Sequence, residues 1–226
     1  SYLGSPSRDL LSEKFYDDLN HNTDGSDKYI KHCNSLSSVH KGRIFRIYCA
    51  QLLKYLETKY KKPHEHNNEY DDCTLLNYWI IGKLVQFYGS NRDRYFLQAF
   101  GKLQLIWSSI IPYDSSTNSN NICKPIFDIY KQDDWYKRKE FYDYCVDYDT
   151  VLKTANLYDS QCEAYYKYIE SKIPIYEYIK KLCTSESTYA CPKFYEECKE
   201  FDPKILLSKL NCHSTMQEKR QLLKNY

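Results

Sequence analysis

The stretch DDCTLLNYWIIGKLVQFYG at residues 71–89 decides the fold class, because it reads as one complete helix with both of its ends marked. Asp71 or Asp72 can cap its start, and Gly89 suits the left-handed residue that ends many helices. Between these ends, apolar residues recur every three or four positions, as they do along one face of an α-helix. That stripe consists of Cys73, Leu76, Ile80, Leu84 and Phe87.

The same periodicity continues on both sides of this helix. Towards the N-terminus it predicts a helix over Arg43–Lys61, which Pro63 ends. Towards the C-terminus, Asn91 can cap a further helix that runs to Pro112. The first of these helices has one face formed by Ile44, Tyr48, Leu52 and Leu56, with Phe45, Cys49 and Leu53 beside them. The second has a stripe formed by Phe96, Phe100, Leu103, Trp107 and Ile110. We expect a shared core that includes Trp79, Phe100 and Trp107.

The remainder of the chain is also predicted to be helical. An opening helix covers Arg8–Leu19, and a helix-rich region covers residues 125–157. Ser160 can cap a long segment that Pro174 kinks or splits. The shortest predicted helices begin near Pro192, near Pro203 and, after a Ser214–Gln217 capping box, at Thr215. The sequence therefore predicts an all-α fold, with a single disulfide-braced multi-helix domain over residues 1–226 and long polar loops.

Ten cysteines are spread along the whole chain. No two of them have the Cys-x-x-Cys spacing that structural zinc sites and thioredoxin-like redox sites share. An even number of thiols without that spacing indicates a disulfide framework formed in an oxidising compartment, and reduced, buried cysteines in a cytosolic protein are the alternative. The spacing leaves the pairing open. The ten residues are Cys33, Cys49, Cys73, Cys123, Cys145, Cys162, Cys183, Cys191, Cys198 and Cys212.

The sequence predicts no catalytic residue, no cofactor and no metal ion. It lacks a phosphate-binding loop and the Gly-x-Ser-x-Gly and His-Glu-x-x-His motifs. His64-x-His66 and Cys212–His213 are weak zinc candidates, because neither has a second ligand pair at the right spacing. With 32 Lys and Arg against 30 Asp and Glu, the charge balance argues against a nucleic-acid-binding surface. No apolar run is long enough to span a bilayer.

One polar segment is the candidate recognition loop. Asp114 is its one charged residue, and it has no side chain suited to anchor a core. Because loops absorb sequence change at little expense to the core, we expect recognition here, with a low-complexity spacer as the alternative. His21–Lys28 and Lys62–Glu69 rank behind it. The loop consists of Tyr113, Asp114, Ser115, Ser116, Thr117, Asn118, Ser119, Asn120 and Asn121.

Five blocks of sequence, distributed over nearly the whole chain, have a family likeness. The two most specific are YDDCTLLNYWIIGKL at Tyr70–Leu84 and CPKFYEECKEFDPKILLSKLNC at Cys191–Cys212. The supporting blocks are LLSEKFYDDL at Leu10–Leu19, IYCAQLLKYL at Ile47–Leu56 and CEAYYKYI at Cys162–Ile169. In these blocks and in their order, the chain resembles the Plasmodium interspersed repeat proteins, and among them the vivax-type (VIR) variant antigens.

The resemblance implies an ectodomain that the blood-stage parasite exports to the infected red-cell membrane or surface. It implies anchoring by a transmembrane helix beyond the given chain, followed by a short intracellular segment. It also implies antigenic variation, immune evasion and adhesion rather than enzyme activity, with a host cell-surface receptor and host antibodies as partners. We expect a monomer. The alternative is a secreted helical carrier or enzyme, with a pocket lined by some of the 25 tyrosines.

Overall fold

The computed structural model describes residues 10–60, 70–111, 122–186 and 190–226, and helices are the only regular structure in these ranges. The all-α prediction is therefore confirmed. Within the same ranges, no helix has both the length and the apolar character needed to cross a membrane. The α-helices are α1 (Leu11–His21), α2 (Asp27–Ile30), α3 (Gly42–Tyr55), α4 (Asp72–Tyr88), α5 (Arg94–Ile110), α6 (Trp135–Leu157), α7 (Asp159–Ser171), α8 (Ile173–Thr184), α9 (Tyr195–Cys198), α10 (Pro203–Ser208) and α11 (His213–Lys224).

The chain folds into two compact units. The first unit is Phe15–Tyr136, and the second combines the residues up to Lys14 with Lys137–Tyr226. In the first unit, a 3₁₀ helix at Lys31–Ser38 precedes α3, and a π-helical turn at Leu56–Tyr60 follows it. The single domain expected over the whole chain stays a prediction.

All ten cysteines are disulfide-bonded, so the prediction of a disulfide-braced fold is confirmed. Each bridge closes within one unit or the other. The first unit contains Cys33–Cys49 and Cys73–Cys123. The second contains Cys145–Cys198, Cys162–Cys212 and Cys183–Cys191.

Helix α4 is the central helix of the first unit, and both of its predicted ends are correct. The Asp71 side chain accepts hydrogen bonds from the backbone N–H groups of Cys73 and Thr74, and Gly89 ends the helix at a φ of 87°. Four of the five residues of the predicted stripe are buried: Cys73, Leu76, Ile80 and Leu84. Further buried side chains lie around the rest of the helix, which is the pattern of a helix packed on most of its circumference. They include Leu75, Tyr78, Trp79 and Ile81.

The buried face of α3 is shifted within the predicted set, towards Phe45, Cys49 and Leu53. Ile44, which the periodicity placed on the inward face, is 61% exposed. The buried face is centred instead on Cys49, because its disulfide to Cys33 ties this face to the 3₁₀ helix. Gly42 permits this packing, since a Cβ atom there would lie 1.8 Å from the carbonyl oxygen of Leu36.

Helix α5 begins later than predicted. Asp93 caps it by accepting a hydrogen bond from the backbone N–H of Tyr95. The Asn91 amide, which we expected to cap the helix, donates instead to the carbonyl of Tyr130. The predicted core members of α4 and α5 are confirmed, with at most 5% exposure for Trp79, Phe100 and Trp107.

In the second unit, the helix-rich region is one long helix, α6, which begins at Trp135. The following segment splits before Pro174, as predicted, because proline favours the first turn of a new helix. Ser160 does not cap α7, since that helix already begins at Asp159. Pro192 lies three residues before the single turn of α9.

The last two helices show one correct and one wrong prediction. Pro203 opens α10, and the preceding Asp202 caps it. Helix α11 begins at His213, directly after the disulfide-bonded Cys212, and it has no side-chain cap. The predicted Ser214–Gln217 capping box is therefore wrong, because the disulfide brings the helix start forward.

A buried carboxylate joins α1 to α6 within the second unit. Asp147 is 1% exposed, and its two oxygens accept hydrogen bonds from the backbone N–H (2.9 Å) and the hydroxyl (2.5 Å) of Ser12. Burial raises the pKa of Asp147 to about 7, against the lowering effect of both hydrogen bonds. The carboxyl group thus acts as an external cap at the start of α1.

Candidate recognition site

The candidate loop Tyr113–Asn121 lies outside the described residues, so its surroundings are defined by the residues at its two ends. The indole N–H of Trp107, in α5, donates a hydrogen bond to the carbonyl oxygen of Cys123 across 2.9 Å. Both residues are at most 2% exposed. A buried contact therefore holds the two ends of the segment at residues 112–121 together.

The chain returning from this segment is fastened to α4. Cys123 is bonded to Cys73, in the first turn of that helix. The Asn77 amide donates to the carbonyl of Lys124 (3.1 Å) and accepts from the N–H of Ile126 (2.7 Å). Because Asn77 is 2% exposed, these bonds are shielded from water and position the returning chain firmly.

Lys62–Glu69, the third-ranked stretch, also lies outside the described residues. The Tyr55 hydroxyl donates to Asp72 Oδ2 across 2.7 Å, between the helices that flank this stretch. Both side chains are less than a tenth exposed. Burial, together with the Asp72 charge, raises the pKa of Tyr55 far above its ordinary value, so the hydroxyl remains a donor at physiological pH.

His21–Lys28, the second-ranked stretch, begins with an exposed turn that leads into α2. Just before it, the Asn20 side chain accepts a hydrogen bond from the indole N–H of Trp79. Within it, Asn22 accepts two hydrogen bonds from the Lys54 ammonium group, through its carbonyl oxygen (3.2 Å) and its side-chain oxygen (3.0 Å).

These anchoring contacts form one continuous series in the first unit. Lys54 and Tyr55 are consecutive in α3, and Asp72 and Cys73 are consecutive at the start of α4. The exposed turn and the flanks of the other two polar stretches therefore meet at one end of this unit. Sequence reasoning found the stretches but not this grouping, because the grouping depends on the pairing of Cys73 with Cys123.

A small polar cleft opens beside the exposed turn. Its cavity volume is about 20 Å³, which is room for about one water molecule. Gln51 is 5% exposed, and its side-chain oxygen has no hydrogen-bond partner among the described residues. A water molecule fits this cleft, and an organic substrate does not. The cleft is lined by Asp18, Leu19, Asn22, Gln51, Lys54, Tyr55, Thr58 and Lys59.

Buried tyrosines of the second unit brace the backbone. The Tyr144 hydroxyl donates to the carbonyl of Phe201, and the Tyr176 hydroxyl donates to the carbonyl of Lys199, each across 2.7 Å. Burial raises the pKa of Tyr176 to about 12 and that of Tyr144 further. These hydroxyl groups are engaged in structural hydrogen bonds, so they do not form a ligand-binding lining.

The weak zinc candidates do not assemble into a metal site in the described part of the chain. Cys212 is bonded to Cys162, and His213 Nδ1 lies 3.1 Å from the Tyr166 hydroxyl. His64-x-His66 lies outside the described residues. Across the described ranges, no group of three or more His, Cys, Asp or Glu side chains is placed to hold a metal ion.

Comparison with known proteins identifies one family. No curated protein and no solved structure matches the chain significantly. The family described as Plasmodium vivax Vir protein matches residues 10–225, a range that includes all ten cysteines and all five of the sequence blocks described above. The resemblance drawn from those blocks is therefore confirmed. The chain belongs to the Plasmodium vivax Vir protein family.

Proposed function

We propose that the protein is an exported variant surface antigen, whose helical scaffold displays polar loops to host antibodies and to a host cell-surface receptor. Family membership supports the antigen class. The observation that carries the display function is that the exposed turn of one polar stretch and the residues flanking the other two meet at one end of the first unit. There, buried contacts such as Trp107 to Cys123 and Tyr55 to Asp72 fasten their ends.

The anchoring groups lie outside the segment that would vary. Trp107 donates to a backbone carbonyl, which is present whatever the neighbouring side chains are. The covalent anchor, Cys73–Cys123, also lies outside residues 113–121. Substitutions within the loop therefore leave every one of these anchors in place. Such separation supports antigenic variation, because surface residues can change without weakening the core.

The five disulfides support folding in an oxidising compartment and display outside the parasite cytosol. We place the protein at the infected red-cell membrane or surface, anchored through a segment beyond the given chain, and acting as a monomer. The alternative, a carrier or enzyme, gains no support from the cleft beside the exposed turn, which has room for about one water molecule. It gains none from Tyr144 and Tyr176 either, because their hydroxyl groups bind backbone carbonyls.

The test replaces Tyr113–Asn121 with a Gly-Ser linker. Loop-length changes alter closure entropy by less than about 1 kcal/mol, so we expect the melting temperature to stay within a few degrees. We also expect the linker variant to lose the binding of some antibodies raised against the folded protein, or to lose its own binding to receptor-expressing cells. The matched control is Gln217→Ala with Gln221→Ala on the exposed side of α11, where binding stays unchanged. If all antibodies and cells bind the linker variant as they bind the wild type, the display role of this loop is wrong.

A further inference from the structure

We propose that a second surface of the first unit binds an acidic polypeptide segment that also carries apolar side chains. This surface lies on α3, α5 and the turn residue Lys41, so it is distinct from the display loops of the proposed function. We call it the basic surface and define it by Lys41, Arg43, Ile44, Arg46, Ile47 and Arg94.

The near balance of charge over the whole chain hides a local basic excess. Between Asp27 and Tyr55 there are six Lys and Arg residues and one Asp, which is a net charge of +5. The whole chain has a net charge of +2, so the remainder is negative. Three of these six cations, Lys41, Arg43 and Arg46, belong to the basic surface, whereas Lys54 binds Asn22 at the other end of α3. A local excess of positive charge steers an oppositely charged partner towards it.

The α3 part of the surface is contiguous. Arg43, Ile44 and Ile47 follow one another at helical spacings of one, three and four residues, which places them on one side of the helix. The Arg46 guanidinium donates to the carbonyl of Arg43 (3.1 Å) and to the Asn34 side-chain oxygen (2.8 Å). This second bond extends the surface onto the 3₁₀ helix.

Aromatic contacts bring Arg94, in α5, to the other end of the surface. The His40 ring lies 4.7 Å from the Tyr95 ring, and the Tyr88 hydroxyl donates to the His40 carbonyl. Arg94 stacks 4.7 Å from the centre of the same Tyr95 ring. Arg94 and His40, the residue before Lys41, therefore both contact the Tyr95 ring.

The cations of this surface are available for an external partner. Among the ion pairs that the described ranges contain, none includes Lys41, Arg43, Arg46 or Arg94. Three of the seven arginines of this lysine-rich chain lie here. Arginine is the cation that protein interfaces favour, because it is weakly hydrated and pairs with carboxylates through two parallel hydrogen bonds.

The exposed isoleucines decide the class of partner. Ile44 is 61% exposed and Ile47 is 50% exposed, next to Arg43 and Arg46 on α3. A sulfated polysaccharide or a nucleic acid matches the charge but offers no apolar side chains to cover them. Membrane-binding helices present a wide apolar face, whereas the wide apolar face of α3 is buried in the unit's own core. A polypeptide with acidic and apolar side chains matches both features.

The surface is also pre-organised. Cys33–Cys49 fixes the 3₁₀ helix against α3, and Gly42 allows their close approach at Leu36. Binding therefore orders few groups beyond the exposed side chains themselves, which lowers the entropic penalty of association.

The test is panning of a random-peptide phage library against the oxidised protein, followed by fluorescence anisotropy with the enriched peptides. We expect the enriched peptides to combine Asp or Glu with apolar residues. Arg43→Glu with Arg94→Glu should weaken their binding at least tenfold, and Ile44→Ser with Ile47→Ser at least threefold. The matched control is Lys153→Glu with Leu157→Ser, an exposed basic and apolar pair on α6, which should leave binding unchanged.

Circular dichroism shows whether each variant still folds. The neutral variant Arg43→Gln should weaken peptide binding less than the charge reversal does, which separates lost recognition from lost folding. The inference is overturned if the peptides bind all variants equally. It is also overturned if no acidic peptide is enriched and the arginines instead bind heparin or vesicles of phosphatidylserine and phosphatidylcholine. Self-association that depends on these arginines, measured by analytical ultracentrifugation, would also overturn the inference, because a second copy of the protein would then bind the basic surface.

The linker variant of Tyr113–Asn121 distinguishes this inference from the proposed function. It should bind the peptides as the wild type does, whatever it does to antibody or receptor binding. If peptide binding is lost in the linker variant but retained in the arginine variant, the inference fails and the display function gains support.

Discussion

The hydroxyl of Tyr55 and the carboxylate of Asp72 form a buried hydrogen bond of 2.7 Å that joins α3 to α4, the helices flanking the 61–69 segment. Asp72 directly precedes Cys73, which is bonded to Cys123. This one contact therefore lies where two of the polar stretches meet the core, and its loss should affect the stability of the first unit.

Tyr55→Phe removes the donor hydroxyl and keeps the ring. We expect the free energy of unfolding to fall by about 1–3 kcal/mol, because a buried carboxylate loses one hydrogen bond. Urea denaturation of the oxidised protein measures this change. The control is Tyr136→Phe, whose ring is 54% exposed, and its effect should stay within about 0.5 kcal/mol. Equal effects of the two substitutions would contradict the anchoring role of Tyr55.

Two glycine-to-alanine substitutions should change stability in opposite directions. Gly42→Ala places a methyl group 1.8 Å from the Leu36 carbonyl oxygen, so the 3₁₀ helix must shift and stability falls. Gly101 lies inside α5 with nothing within 4 Å of an added Cβ. Gly101→Ala should therefore stabilise the protein by about 0.5–1 kcal/mol, through helix propensity. Thermal denaturation compares them, and a stabilising Gly42→Ala would disprove the close approach.

Asp147 should make the folded state less stable as the pH rises from about 4 to about 7. Its pKa is about 7 in the folded protein, against an ordinary value of 3.8, so folding favours the protonated form. The contribution of the protonated Asp147 to the free energy of unfolding is fully present below about pH 4 and is lost by about pH 7. Its upper limit is about 4 kcal/mol. Chemical denaturation of the wild type and Asp147→Asn between pH 4 and 8 measures it.

The Asp147→Asn variant should show little of this pH dependence, because the amide cannot ionise yet still accepts the Ser12 N–H. The difference in unfolding free energy between the two proteins should change steadily over this interval in favour of the variant. If the unfolding free energies of the wild type and Asp147→Asn change in parallel with pH, the Asp147 carboxyl group ionises normally in the folded state.

The disulfides should differ in their contribution to stability according to the chain length that each encloses. Cys145–Cys198 has a sequence separation of 53 and Cys183–Cys191 a separation of 8. Loop entropy alone predicts losses of about 4 and about 2.5 kcal/mol when each pair is replaced by serines. Guanidinium denaturation of the two double variants tests this order, and the reverse order would show that packing, rather than loop entropy, dominates.

Local chemistry in the sequence was enough to predict some helix ends but not others. Asp71 and Gly89 were correct because their interactions involve only near neighbours. Asn91 was wrong because its amide reaches a carbonyl 39 residues later in the chain. Ile44 was wrong because the apolar residues of α3 form two adjacent rows, and the buried row is the one that contains the disulfide-bonded Cys49.

The candidate site shows the same division. Composition identified the polar stretches, since a segment such as Tyr113–Asn121 has few groups that bury well. The meeting of their flanking residues at one end of the first unit depends on contacts between residues far apart in sequence, such as Trp107 with Cys123. The basic surface was hidden for another reason, because whole-chain charge averages over the local excess between Asp27 and Tyr55.

The closure of every disulfide within its own unit has a consequence for how such genes diversify. A recombination event that exchanges the coding region for Phe15–Tyr136 between two family members with the same cysteines carries whole cysteine pairs with it. The chimeric chain contains no orphan thiol that would mispair during oxidative folding. Reassortment of segments can therefore supplement point mutation as a source of new family members.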